Sequence, residues 1–202
     1  MAAGKMDTEV RREQIAQAAL AIIAKQGMKG FGIAAIADQV GIVPSAIYRH
    51  FKSKDEIVDS VLDLIRDSMI GNVASVCEET TDPVERLEKL VLRQIGMIHT
   101  IPVIPQIVFS SGSFEGFSKR KNKMHEGIKK YLVKIREIVL QGQKSGAIKP
   151  ELDSEVLSMM ILGTVQQAMI IWFISGGEFD AGKYAKKAWL FYKSAITNEK
   201  AD

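Results

Sequence analysis

Apolar residues recur at intervals of three and four along nearly the whole chain, and strict alternation is scarce, so the pattern predicts helices rather than strands. Ile15, Ala19, Ile22 and Ile23 mark a first amphipathic helix that Asp7 or Thr8 can cap and Gly27 can stop. Two short helices follow at about 33–40 and 44–51, parted by Gly41-Ile42-Val43. Ser53 and Glu56 have the spacing of a capping box and open a long helix through Ile57, Val61, Leu64 and Ile65. Asp82-Pro83 begins another helix, which runs to about Thr100, and Pro102 and Pro105 then confine the chain to a short element ending near Gly112.

Met124, Ile128, Leu132, Ile135 and Val139 keep helical spacing within a segment from Phe117 to about Ser145, which Gly146 ends. The last two helices are predicted at 153–175, with Asp153 as N-cap, and at 180–197, with Tyr184, Ala188, Phe191 and Ala195 on one face. The expectation is an all-α protein of about nine helices, three short ones and then six around a larger core.

Composition narrows the class. With 202 residues, 47% hydrophobic and 25% charged, the chain can bury a substantial core, which excludes wholesale disorder and a collagen-like repeat. Val156–Ile174 is a sterner matter, because its 19 residues include 14 apolar ones and no charge, enough to span a bilayer. Ser158, Thr164 and the pair Gln166-Gln167 interrupt it, and its flanks are acidic where a span usually has nearby Lys or Arg. A helix buried in protein or in an oligomer is therefore expected, with no membrane partner. Cys77 is the one cysteine, so an intramolecular disulfide is impossible and the cytoplasm is the expected compartment.

The formal charge of +3 looks like a faint nucleic-acid signal, but its distribution says otherwise. Residues 1–60 carry a net +1, 61–117 carry −4, 118–150 carry +8 and 151–202 carry −2. The positive excess belongs to one middle segment, so a DNA claim for the N-terminal part must rest on motif.

That motif is Ile33 to Phe51. Ala37 is small where two helices would cross closely, Gly41 suits a turn that needs positive φ, and Ile36, Val40, Ile42 and Ile47 supply apolar contacts between the helices. A helix-turn-helix accounts for this pattern, and so does a plain helical hairpin. The continuation through Tyr48-Arg-His-Phe51 and Ser53-Lys54 separates the two, for here the sequence resembles the TetR family of transcriptional regulators over about residues 8–60. Shared features are Ile36-Ala37, Gly41, Tyr48, Phe51 and the Lys-containing cap.

The resemblance implies a three-helix DNA-binding domain at 1–53, with its motif at about 31–50, and a helical ligand-binding and dimerisation domain at 54–202. Two positions depart from the family pattern. Gly32 and Val43 stand where members often have a capping Ser or Thr, so Pro44 at the first helical position must help fix the second helix.

A recognition helix enters the major groove through its N-terminal residues, which assigns Val43, Pro44, Ser45 and Ala46 to base edges. Ser45 alone offers a hydroxyl, so readout is expected to lean on thymine methyl groups and DNA shape. Tyr48, His50 and Lys54 match positions that hold phosphates in the family, and Arg49 and Lys52 are further phosphate or base candidates.

For the larger domain, the resemblance implies a homodimer through the last two helices, a palindromic double-stranded operator and release by a small-molecule effector. Met97, Ile101, Phe109, Phe117, Met124, Met160, Met169 and Trp172 are the candidate pocket lining, although core packing explains such residues equally well. Lys121 falls on the apolar stripe with Arg120 and His125 at its margins, which points to an anionic, acyl or aromatic acid effector, or else to a lysine that snorkels from the helix start. Lys119, Lys123, Lys130 and Lys134 are expected on a solvated face. An activator or an architectural DNA binder is the alternative reading. His50, His99 and His125 have no partner at a catalytic spacing, and no metal or cofactor motif appears, so an enzyme is not expected.

Overall fold

The computed structural model describes residues 2–97, 107 and 114–198. Among these the chain forms eight helices and no strand: α1 Ala2–Gly30, α2 Ile33–Val40, α3 Pro44–Ile47, α4 Lys54–Glu79, α5 Pro83–Gly96, α6 Phe114–Lys144, α7 Ser154–Ile174 and α8 Ala181–Ile196. The short element expected before Gly112 falls outside the described residues. Two compact units result, residues 1–67 with 99–125 and residues 68–98 with 126–202, so the division falls inside α4 and inside α6. The expected boundary lay earlier, after residue 53.

In the first unit Ile15, Ala19, Ile22 and Ile23 of α1 are buried together with Ile36 and Ala37 of α2 and Ile47 of α3. The periodicity of α1 therefore reads through to its packing, and α1 packs on α2, which packs on α3. Gly27 adopts φ 68° and ψ −174°, which interrupts the helix where a glycine stop was expected and leaves one further turn to Gly30. Phe51, Ile57, Val58 and Val61 complete the buried set at the start of α4.

The second unit is built on α5. Val84, Leu87, Leu90, Val91 and Ile95 form its buried face, and α5 packs against both α7 and α8. Ile135, Ile138 and Val139 of α6, Leu157, Ile161 and Val165 of α7, and Ala185 and Trp189 of α8 fill the same core. Asp82, Asp153 and Asp180 cap α5, α7 and α8 by accepting main-chain N–H bonds. Arg86 reaches back to the end of α4, donating to the carbonyls of Cys77 and Thr80 at 3.1 and 2.7 Å, which satisfies groups a helix C-terminus leaves open.

The face of α8 differs from the expected one. Ala181, Ala185, Trp189 and Ile196 are buried, Tyr184 and Ala188 lie at the margin, and Phe191 and Ala195 are exposed. The buried row is offset by one residue because Trp189 is the large apolar group that fills the core, 1% exposed, while Phe191 remains 72% exposed. The phenol of Tyr131 is buried beside Gln94 in this core, and burial raises its pKa above the ordinary tyrosine value.

Candidate nucleic-acid interface

The turn between α2 and α3 is set by Gly41, whose φ of 74° is left-handed. Its N–H donates to the Asp38 carbonyl at 3.1 Å and that of Ile42 to the Ala37 carbonyl at 2.9 Å, closing α2. Neither Gly32 nor Val43 makes a side-chain cap, and Pro44 occupies the first turn of α3, as its fixed φ favours. The regular part of α3 stops at Ile47, four residues short of the expected end. The chain continues in turns, with N–H bonds from Arg49 to Ala46, His50 to Ile47 and Phe51 to Ile47 at 3.2, 2.9 and 3.0 Å.

Burial divides this segment sharply. Ile47 and Phe51 are inside, whereas Val43, Pro44, Ser45, Tyr48, Arg49, Lys52 and Lys54 are exposed and Ala46 and His50 are half-buried. Val43 is 63% exposed and Tyr48 57%, so Tyr48 is no core aromatic. The nine residues assigned to DNA thus stand on one continuous stretch of which only two anchors face inward.

Three side chains, Arg12, Ser53 and Glu56, hold that stretch, and of these the sequence pattern did not single out Arg12. Arg12 on α1 donates to the main-chain carbonyl of His50, places its guanidinium 4.1 Å from the centroid of the Phe51 ring and bonds Glu56 Oε1 at 2.9 Å. The other Glu56 oxygen accepts the Lys52 N–H at 2.7 Å, and Ser53 Oγ accepts the Glu56 N–H at 3.2 Å. The capping box is present, with the carboxylate reaching one residue beyond Ser53. The bond from Lys52, joined by Arg12, holds Glu56 below its ordinary carboxylate pKa against the opposing effect of burial. Arg12 has no local signal, because its partners lie about forty residues away.

The candidate effector residues are not gathered by the structure into one described site. Ile101 and Phe109 lie outside the described residues, as does the side chain of Phe117. In the first unit Met124 is half-buried, while Lys121 and His125 are exposed. The buried cation at the start of α6 is Arg120, one position earlier, and its partners are Asp55 and Asp59, so the apolar stripe does not extend back to Lys121. Lys119 and Lys123 both pair with acids of α4; the Lys119 side chain still stands on a solvated face, as expected, whereas Lys123 is half-buried. In the second unit Met169 and Trp172 pack against the core, and Met97 accepts a bond from Asn72 at 3.1 Å through its sulfur. Met160 faces solvent instead, on the side of α7 that carries Val156, Met159 and Ile170.

A short solvent-facing helix, set by a left-handed glycine turn against a supporting helix and flanked by exposed Tyr, Arg and Lys, defines a helix-turn-helix DNA-binding protein. Residues 15–61 match the bacterial regulatory proteins, tetR family, and residues 65–193 match the YsiA-like protein, C-terminal region. The chain belongs to the TetR family of transcriptional regulators, as the sequence resemblance implied.

Among its relatives, the fatty acid metabolism regulator protein of Bacillus subtilis is 26% identical over 189 residues, covering 92% of this chain and 95% of that one. The transcriptional repressor KstR2 of Mycolicibacterium smegmatis is 28% identical over 199 residues, with 95% and 93% covered. The structure of the B. subtilis regulator FadR in complex with stearoyl-CoA superposes with a TM-score of 0.73 at 24% identity, over 91% of this chain and 98% of that one.

Proposed function

We propose that this regulator is a cytoplasmic homodimeric repressor, released from a palindromic operator by a hydrophobic acyl-CoA thioester or a close analogue. The observation that carries this reading is the match of residues 65–193 to a YsiA-like C-terminal region, together with a fatty acid metabolism regulator among relatives that align over more than 90% of the chain. An acyl-CoA combines an apolar chain with an anionic head, which agrees with the class of effector expected from the sequence. Release follows if the ligand binds more tightly to an arrangement of the two heads that no longer fits the operator.

The dimer reading rests on the outer side of α7 and α8. Val156, Met159, Met160, Ile170 and Ile174 recur on α7 at helical spacing and are exposed, and Leu190 and Phe191 on α8 are exposed as well. By length and composition α7 is also the one described helix able to cross a bilayer. A second copy of the chain accounts for that apolar surface in a DNA-binding protein, because a two-fold axis pairs the same patch with itself and sets two heads for two half-sites.

The experiment is competition on a duplex selected from a random library by the protein itself. Stearoyl-CoA should release the duplex and raise the melting temperature, whereas free coenzyme A should do neither. If acyl-CoA thioesters from short to long chain left both DNA binding and melting unchanged, the effector class would be wrong.

A further inference from the structure

Two charged rows face each other inside the first unit. Asp55, Asp59 and Asp63 recur every four residues along the first turns of α4, on one face of the helix. Opposite them stand Lys119, Arg120 and Lys123 at the start of α6. Lys119 Nζ lies 2.7 Å from Asp59 Oδ2, and Lys123 Nζ lies 2.6 Å from Asp63 Oδ2 and 3.0 Å from the main-chain carbonyl of Asp59. Arg120 bonds Asp55 through Nη2 and approaches Asp59 at 3.5 Å through Nε.

The centre of this clasp is buried and its arms are wet. Arg120 is 3% exposed, whereas the side chains of Asp55 and Lys119 are open to solvent. A buried guanidinium needs its anions, so Arg120 cannot leave Asp59 and Asp55 without a large desolvation penalty. That ties α6 to the turn of α4 that also bears Lys54 and Glu56. Glu56 in turn holds Arg12 and the main chain of Lys52, which brings the chain of contacts to the DNA-facing stretch. Residues 1–67 are electrically neutral by formal charge, and residues 99–125 bring a net +3 to the unit.

We propose that Arg120 is a positioning residue for DNA recognition. Together with Lys119 and Lys123 it fixes the first turns of α4, and so fixes how Lys54 and the segment 43–52 meet the operator, without itself touching DNA. Three of the ten basic residues in the positive segment 118–150 are thus the counterpart of the acidic row of α4.

The test uses the full chain, the library-selected duplex and an unselected duplex of the same length. Arg120→Gln should weaken binding to the selected duplex roughly tenfold and to the unselected one by less than twofold, because position and not phosphate contact is lost. Arg120→Lys should restore a good part of the loss. Asp59→Asn should weaken selected binding similarly, and adding it to Arg120→Gln should cost clearly less than the product of the two losses, because the Arg120–Asp59 pair is common to both and only the separate bonds to Lys119 and Asp55 add. Equal weakening on both duplexes would make Arg120 a phosphate contact, and multiplicative losses in the double variant would dissolve the clasp; either overturns the proposal. If Arg120→Gln did not fold, Lys123→Met offers a milder cut, because Arg66 still pairs with Asp63 at 2.6 Å. A loss of roughly threefold in selected binding is then expected, and unchanged selectivity would overturn the proposal.

Discussion

Arg12 and His50 are 38 residues apart in sequence, yet the Arg12 guanidinium donates to the His50 main-chain carbonyl while lying over the ring of Phe51. One side chain of α1 thereby fixes the backbone just beyond the recognition helix. A helix of four residues has little stability of its own, so its geometry must come from such tertiary contacts.

Arg12→Ala should therefore cost the protein about 2 kcal/mol, from a charge-assisted hydrogen bond, an ion pair at 2.9 Å and a cation–π contact. Selected-duplex binding should fall with it. Arg12→Lys should recover less than half, since an ammonium cannot serve the carbonyl, the carboxylate and the ring at once. Urea unfolding followed by circular dichroism gives the first number and a binding titration the second. A lysine variant equal to wild type in both would reduce Arg12 to a surface cation.

Glu56 joins the same network and titrates. Its folded pKa lies below the ordinary value of 4.5, chiefly because of the Lys52 N–H. A depressed carboxylate contributes stability that is full above the unfolded value and disappears as pH falls through the folded one. Wild type should exceed Glu56→Gln in urea midpoint at pH 7, and the two should converge below pH 4.5 toward the folded pKa. A gap that stayed constant down to pH 3 would mean that the charge of Glu56 is not what matters.

The elements and the motif were legible in the sequence because they depend on local chemistry. Gly27 and Gly41 took the backbone conformations that only glycine adopts cheaply, and Asp82 and Asp153 capped where they preceded apolar runs. What was not legible was pairing at long range. On a helical wheel Lys119 and Lys123 look solvated, as Lys119 is, but nothing in their own helix reveals that Asp59 and Asp63 lie opposite. Of the two alternatives for Lys121, the outward one agrees with its exposure, and the inward cation is Arg120, which the partner acids face. On α8 the period was legible and the buried row was not, because the phase is decided by which side of α8 α5 and α7 meet.

Base contacts and phosphate contacts should separate cleanly within the exposed stretch. Lys54→Ala should weaken binding to selected and unselected duplexes alike and lower the salt slope by about 1, as expected for one phosphate contact. Ser45→Ala should leave the slope unchanged and alter sequence preference at a cost of roughly 1 kcal/mol. Filter binding across a salt series with both duplexes decides the matter. An unchanged salt slope for the lysine variant would remove Lys54 from the interface.

The exposed apolar side of α7 and α8 leads to the last expectation. Ile170 and Phe191 are 53% and 72% exposed in one protomer, so a charge placed there leaves the protomer's own core intact. In a dimer the same charge would be buried against its symmetry copy, where an unpaired ammonium is expensive. Ile170→Lys and Phe191→Lys should therefore keep helical content, yet convert the protein to a monomer in sedimentation at micromolar concentration. Operator affinity should fall by much more than for any single contact residue, because two half-sites would then be bound independently instead of by one body. If wild type itself sedimented as a monomer, or if both variants remained dimeric, the last two helices would not be the interface.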